Sequence, residues 1–189
     1  MTRGMLLTDD EVVALSALAE KPWPTGLFTV TATSVELRAA ALRGVRSLTV
    51  RGLLAAAGPD TELRDAIDVF LHPAARVGAY LAPVDTPRAM AGSALTLALA
   101  DRQWWLDAST PDGIHAIRKV TAAGGRAAIE QFADCISSGA LLDAAADPSH
   151  YGCAIRWGTG DGELLFIAPG AATWDRTSLD AVFAGAVSG

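Results

Sequence analysis

The sequence has few of the residues on which metal, redox and histidine chemistry depend. Among 189 residues there are two cysteines and three histidines, and charged residues make up only 19%. Cys135 and Cys153 lack a CxxC partner and a histidine at ligand spacing, which indicates free thiols in a reducing compartment. The net charge of −6 disfavours a dedicated nucleic-acid binder, although a local basic helix would override the global sign.

Long apolar runs are also missing. No segment approaches the ~20 apolar residues of a membrane span. Asp9, Asp10 and Glu11 occupy the place where a signal peptide would carry its apolar stretch. We therefore expect a cytoplasmic protein without membrane insertion. With 51% hydrophobic residues the chain can bury a substantial core, and its length predicts a single domain over residues 1–189.

Helical periodicity dominates the first part of the chain. Thr8 and Glu11 match a capping box at the start of a short helix. A second helix is predicted over Leu37 to Val50, because apolar residues recur every three or four positions and Arg51-Gly52 is typical of a helix end. A third helix is predicted from Asp60, its N-cap, to a stop at Pro73. Between the first two helices, Phe28 to Ala32 alternates in character and predicts a strand.

After Pro73 the apolar period changes from 3.6 to 2. The alternation predicts strands, which we place at Val77–Leu81, Leu95–Leu99, Trp104–Leu106, Ile114–Val120, Cys153–Trp157 and Leu164–Ala168. Asp101-Arg102 is a predicted hairpin turn. Gly158 to Gly162 is likewise interpreted as a turn, since it lacks the Lys-Ser/Thr of a phosphate-binding loop. Two further helices, with apolar stripes around Ile129 and Leu179, complete an α+β fold: an antiparallel sheet meander with helices packed on one side and at both ends.

Two chemical alternatives arise from single residue types. Arg38, Arg43, Arg46 and Arg51 give the Leu37–Val50 helix a basic face, which suits either a solvated surface or a winged-helix-like DNA-binding regulator. Among the histidines, His115 lies in a predicted strand with no nucleophile or carboxylate beside it in sequence. A small enzyme would need a deep pocket that brings His115 together with a carboxylate.

The pair Trp104-Trp105 predicts either a second covered face of the sheet or a binding surface. Successive strand residues point to opposite faces, so the two indoles cannot share one core. Trp105 falls between Gln103 and Asp107 on a polar face. Either a helix layer covers that face, or Trp105, Gln103 and Asp107 are available to a protein partner, with a homodimer as one possibility.

The phrase Ser47-Leu-Thr-Val-Arg-Gly-Leu-Leu54, the following helix Glu62 to Leu71, Pro73 and the strand Val77 to Leu81 together resemble the EspG family of ESX (type VII) secretion-associated proteins. Asp112-Gly113-Ile114-His115 and the later helix with Ile129 and Phe132 are compatible with that resemblance, which spans about Leu7 to Ser138.

The EspG resemblance implies a cytosolic chaperone or adaptor that binds a paired helical secretion substrate of the PE/PPE kind and keeps it soluble. It implies a protein that is not an enzyme and that needs neither cofactor nor metal. It transfers no individual binding residue to this chain.

Overall fold

A seven-stranded antiparallel sheet organises the protein. The computed structural model describes residues 4–24, 26–138, 147–158, 162–170 and 174–188. The strands are β1 Met5–Thr8, β4 Ala75–Pro83, β5 Ala94–Ala100, β6 Gln103–Ser109, β7 Ile114–Val120, β8 Tyr151–Trp157 and β9 Glu163–Ile167. Their order is β1-β7-β6-β5-β4-β8-β9, and two short strands, β2 Leu54–Ala55 and β3 Gly58–Pro59, pair separately. The antiparallel meander was predicted and is confirmed.

The described helices are α1 Asp9–Leu18, α2 Ser34–Val50, α3 Thr61–Leu71, α4 Ala122–Ser137 and α5 Ser178–Ser188, with a 3-10 turn at Pro148–His150. The second helix begins at Ser34, three residues before the predicted Leu37, and its N-cap is Thr33. Thr8 and Glu11 form the predicted capping box on α1, and Asp60 caps α3. Gly52 has a φ of 74°, the left-handed conformation expected just beyond α2. None of the described helices has the length and apolar character needed to cross a bilayer.

Helices cover both faces of the sheet, whereas the sequence led us to expect them on one side and at both ends. On one face, Leu97, Trp104 and Ile155 pack with residues of α4 and α5. On the other, Trp105 and Ile117 pack with residues of α1 and α3 and with Leu48 of α2. The α+β class is confirmed. The second helical layer covers the apolar residues that β1, β6 and β7 place on that face, which are Met5, Leu7, Trp105 and Ile117.

The segment Phe28–Ala32 is a loop, and the strand predicted there was wrong. Its amides are already engaged: Phe28 N–H and Thr29 N–H both donate to Asp9 Oδ2, at 2.7 and 2.6 Å. A backbone that donates to a side chain in this way cannot donate to a neighbouring strand. Of the predicted turn at 158–162, residues 159–161 lie outside the described part of the chain, as do residues 139–146.

Helix α2 lies on α1 at one close contact. The contact is made at Gly44, where a Cβ atom would overlap the carbonyl oxygen of Asp10 and would come within 2.8 Å of the Ala14 Cβ. Leu48 of α2 and Leu63 of α3 are both fully buried in the same cluster. The opposite side of α2 is therefore directed away from the sheet.

Candidate functional site

The outer side of α2 carries apolar residues that the fold leaves exposed. Val35, Leu42 and Val50 are 80%, 61% and 88% exposed. They are seven and eight residues apart, so they share one face of the helix, opposite the buried residues Gly44 and Leu48. We call Val35, Leu42 and Val50 the α2 outer stripe. A helix with two opposed apolar faces buries one in its own core and can offer the other to a partner.

The arginines of α2 are divided between internal ion pairs and this outer surface. Arg43 Nε lies 2.7 Å from Asp10 Oδ2, and Arg43 Nη2 lies 2.8 Å from Glu36 Oε1. Arg51 Nη1 lies 2.6 Å from Glu11 Oε2. Arg38 and Arg46 are exposed at the α2 outer stripe. Two of the four arginines are thus neutralised by carboxylates, which weakens the basic patch that a DNA-binding regulator would need.

A buried carboxylate fixes the position of α2 on α1. Glu11 has no exposed surface, and its carboxylate accepts hydrogen bonds from Thr8 N–H, Ser47 Oγ–H and Arg51. Arg51 also donates to the Leu6 carbonyl oxygen of β1 at 2.7 Å. A buried charge is stable only when it is paired and hydrogen-bonded in this manner. The end of α2 is therefore held rigidly against α1 and the sheet edge.

Trp105, Gln103 and Asp107, the residues predicted to bind a protein partner, are buried or half-buried. Trp105 is 3% exposed and Asp107 is fully buried. Gln103 is half-buried, and its side-chain amide donates to the carbonyl oxygens of Trp104 and Val120 at 2.8 Å each. A surface cleft of about 730 Å³ is lined by Asp65 and Asp68 of α3 and by His72, the C-cap of that helix, and it reaches Trp105 and Gln103. Of the two alternatives for this face, cover by a helix layer is the one observed.

His115 lies between two carboxylates that its sequence neighbourhood did not reveal. Its Nε2 is 2.9 Å from Asp9 Oδ1, and its Nδ1 is 2.9 Å from Asp107 Oδ2. Trp23 Nε1–H donates to the same Asp107 oxygen at 3.1 Å, and Thr29 Oγ–H donates to Asp9 Oδ2 at 2.9 Å. We call His115, Asp9 and Asp107 the buried triad. It joins β6, β7 and the start of α1 to Trp23 and Thr29, which lie between α1 and α2.

The turn between β6 and β7 brings Asp9 to this place. Gly113 has a φ of 72°, and its carbonyl oxygen accepts a hydrogen bond from Asp9 N–H at 2.8 Å. A Cβ atom at Gly113 would lie 2.6 Å from Thr29 Oγ1 and 2.8 Å from Asp9 Oδ2. Only glycine combines that conformation with so close an approach. Asp112-Gly113 is typical of a turn, but that pair of residues alone does not indicate which side chains meet beside it.

Charge and burial determine what the buried triad can do. Burial alone would lower the pKa of His115, but its hydrogen bonds with Asp107 and Asp9 outweigh burial and raise that pKa to about 9. Burial would raise the pKa of Asp9, but hydrogen bonds from His115, Thr29 and Phe28 lower it to about 2. A protonated imidazole with both N–H groups engaged and no exposed surface holds structure together and leaves no ring nitrogen to accept a proton from a substrate.

An enzyme would need a pocket that brings His115 together with a carboxylate. The residues do meet, but His115 has no exposed surface that a substrate could reach. No group of three His, Cys, Asp or Glu side chains in the described ranges has the arrangement of a metal site. Burial raises the pKa of the Cys153 thiol to about 12, so it stays protonated inside the core. His115 and Cys153 are buried, whereas the α2 outer stripe is exposed to solvent.

No protein-family model matches this chain, and no curated protein matches it.

Proposed function

We propose that this protein is a non-catalytic cytoplasmic chaperone or adaptor of the type VII (ESX) secretion pathway, similar to EspG proteins. It binds a paired helical secretion substrate of the PE/PPE kind and keeps that substrate soluble. The observation that carries the proposal is the α2 outer stripe, an exposed apolar row on a helix whose other side is fixed to α1 by ion pairs. The protein acts by binding its substrate and catalyses no reaction.

The α2 outer stripe suits a helical partner in particular. Apolar residues repeated over four turns of one helix present the ridge against which a second helix packs. Arg38 lies beside this row and Arg46 lies within it, between Leu42 and Val50, so carboxylates on the contact face of the partner would set its register. The ion pairs of Arg43 and Arg51 hold the helix in place, which lowers the entropy lost on binding.

The two alternative functions receive less support from the same residues. A DNA-binding regulator would use the arginines of α2, yet Arg43 and Arg51 are bound to carboxylates of the protein itself. A hydrolytic or proton-transfer enzyme would use His115, whose ring is 0% exposed. The adaptor function uses what the fold leaves exposed.

Co-expression with a paired helical PE/PPE-type substrate tests the proposal. The wild-type protein is expected to hold the substrate in the soluble fraction and to co-elute with it in size-exclusion chromatography. The triple variant Val35→Ser, Leu42→Ser, Val50→Ser removes the apolar row while changing only exposed positions. It should melt within a degree or two of the wild type and leave the substrate in the pellet.

A matched control removes exposed apolar side chains elsewhere. Leu6 and Leu18 are 58% and 59% exposed and lie outside the α2 outer stripe. The double variant Leu6→Ser, Leu18→Ser should retain the substrate as the wild type does. Equal retention by the triple variant, or equal loss in both variants, would contradict the assignment of the interface to α2.

A further inference from the structure

A cleft lies between α3 and the turn that joins β5 to β6, on the sheet face that α3 covers. Its volume is about 730 Å³, and its lining includes Asp65, Asp68, Asp101, Gln103, Trp105 and Lys119. We call it the α3 cleft. It shares no residue with the α2 outer stripe, so an inference from it does not depend on the proposed function.

Helical spacing and short side chains explain why a cleft forms here. Asp65, Asp68 and His72 are three and four residues apart, so they lie along one side of α3 and its C-cap and form one wall. Ala74 and Ala100, which also line the cleft, are too short to fill the space between this wall and the sheet. The space therefore stays open beside a row of acidic side chains.

The aspartates of the α3 cleft are not neutralised by other groups of the protein. Within the described part of the chain, Asp65, Asp68 and Asp101 make no ion pair, and their carboxylates accept no hydrogen bond. By contrast, Asp10 and Glu11 are both paired with arginines. The C-terminal end of α3, whose last turn has no basic residue, adds the negative end of the helix dipole to the same cleft. A cationic ligand is attracted by such a site.

Trp105 supplies a second, independent feature of the α3 cleft. Its side chain is 3% exposed and lines the cleft. The indole N–H donates to no described residue, and the nitrogen is not one of the atoms that are sealed from solvent without a partner. Polar groups of a side chain buried to this degree normally have a hydrogen-bond partner. The cleft thus contains an unused hydrogen-bond donor beside its carboxylates.

The Trp105 ring also contacts a cation within the protein. Lys119 Nζ lies 4.8 Å from the ring centre, a distance typical of a cation–π contact. Lys119 makes no ion pair with the aspartates of the cleft among the described contacts. The lining holds three aspartates and one lysine, an excess of two negative charges. Lys119 therefore leaves the carboxylates available to a ligand.

We propose that the α3 cleft binds an arginine side chain together with a neighbouring carbonyl group. The guanidinium lies among the carboxylates of Asp65, Asp68 and Asp101, and the carbonyl oxygen accepts the Trp105 N–H. A guanidinium group matches carboxylates with paired, parallel hydrogen bonds, which an ammonium group does not. The volume falls within the ~300–1,000 Å³ of ordinary ligand sites and accommodates an arginine with its chain neighbours. An arginine of a peptide and a free arginine derivative share this chemistry.

Isothermal titration calorimetry at fixed ionic strength tests the proposal with three probes: N-acetylarginine amide, its neutral isostere N-acetylcitrulline amide, and the blocked tripeptide Ala-Arg-Ala. Saturable one-to-one binding is expected for both arginine probes and not for the citrulline probe. Tighter binding of the tripeptide identifies an arginine of a peptide as the ligand, and equal or weaker binding identifies a free derivative. Absence of saturable binding by both arginine probes, or equal binding of the citrulline probe, would overturn the proposal.

A charge variant assigns the binding to this cleft. Asp65→Asn combined with Asp68→Asn changes only exposed side chains, so it should fold as the wild type does and bind N-acetylarginine amide at least about tenfold more weakly. Glu62→Gln combined with Asp112→Asn removes the same charge from exposed positions outside the cleft and should bind normally. Unchanged affinity in the first variant, or an equal loss in both, would mean that the cation binds elsewhere or follows net charge, and the proposal would fail.

A second variant tests the indole N–H. Trp105→Phe keeps an aromatic ring in the core and removes the donor, so N-acetylarginine amide should bind about fivefold more weakly at temperatures where the variant is folded. Trp104→Phe makes the same change on the opposite face of the sheet and should bind as the wild type does. Wild-type affinity in Trp105→Phe would show that no carbonyl oxygen contacts the indole, and would contradict the arrangement proposed.

Discussion

His115 Nε2 lies 2.9 Å from Asp9 Oδ1, which joins the β6–β7 hairpin to the first turn of α1 across 106 positions of sequence. On the other side of the ring, Nδ1 lies 2.9 Å from Asp107 Oδ2. Both carboxylates can accept from the imidazole at once only when both ring nitrogens carry protons. The carboxylates raise the pKa of His115 to about 9, so the contact is an ion pair at neutral pH and its contribution to stability depends on pH.

The buried triad predicts a stability maximum on the mildly acidic side of neutrality. The pKa of His115 is raised from 6.5 to about 9, so its contribution is complete below pH 6.5 and is lost as the pH rises through about 9. The pKa of Asp9 is lowered from 3.8 to about 2, so its contribution is complete above pH 3.8 and is lost as the pH falls through about 2. Urea unfolding from pH 5 to pH 9.5 should show the free energy of unfolding falling by roughly 2–3 kcal/mol above pH 6.5.

The variant His115→Gln assigns that slope to His115. It should lower the free energy of unfolding at pH 6 by about 3–5 kcal/mol, because two carboxylates lose their buried cation, and it should flatten the profile above pH 6.5. His150 is an exposed histidine that lies 3.1 Å from Asp147, so His150→Gln is the matched control and should keep the wild-type slope. A wild-type slope in His115→Gln would refute the assignment.

A second prediction concerns the α1–α2 contact. Alanine is favoured over glycine within a helix by ~1 kcal/mol, so Gly44→Ala would stabilise α2 in isolation. In the protein its Cβ atom meets the Asp10 carbonyl oxygen and the Ala14 Cβ, and α1 and α2 must separate. We expect a net loss of roughly 1–3 kcal/mol in thermal or urea unfolding.

Gly124→Ala provides the comparison for Gly44→Ala. Gly124 lies in the first turn of α4, where a Cβ atom would have only Thr121 Oγ1 within 3.1 Å and the Val120 Cβ at 3.9 Å. This variant should be neutral or gain up to ~1 kcal/mol. A gain in both variants would show that α1 and α2 are more loosely packed than the structure indicates.

Local signals were enough to predict most of the elements. The Thr8–Glu11 capping box, the Asp60 cap and the hairpin turn at Asp101-Arg102 each act within four residues, and all three are observed. Asp101 and Arg102 adopt φ values of 48° and 65°, the conformation that a two-residue turn requires. The Phe28–Ala32 prediction failed because the competing hydrogen-bond acceptor, Asp9, is distant in sequence.

The buried triad shows which contacts of a site can be predicted from the pairing of strands. In the β6–β7 hairpin Ser109 pairs with His115, so Asp107 and His115 are diagonal neighbours on one face. A register for this hairpin alone would have predicted their contact. The contact with Asp9 could not be predicted in this way, because nothing in strand alternation places the start of α1 over that face.

The last prediction separates Trp105 from an interface. Trp104 and Trp105 lie on opposite faces as expected, and they are only 6% and 3% exposed. Trp104 packs edge-on against Phe183 of α5 at 5.8 Å between ring centroids, and Lys119 Nζ lies 4.8 Å from the Trp105 ring centre. Trp104→Ser and Trp105→Ser should each lose about 3 kcal/mol or more in urea unfolding, because each leaves a cavity in a different helical layer.

Leu18→Ser, at a position 59% exposed, controls for the loss of an apolar side chain and should stay within ~0.5 kcal/mol of the wild type. Size-exclusion chromatography of the same proteins separates unfolding from loss of association. If Trp105→Ser kept the wild-type midpoint and eluted as a smaller species, Trp105 would contact a partner subunit. The cover of that face by α3 would then be incomplete in solution, and Trp105, Gln103 and Asp107 would return as the binding surface.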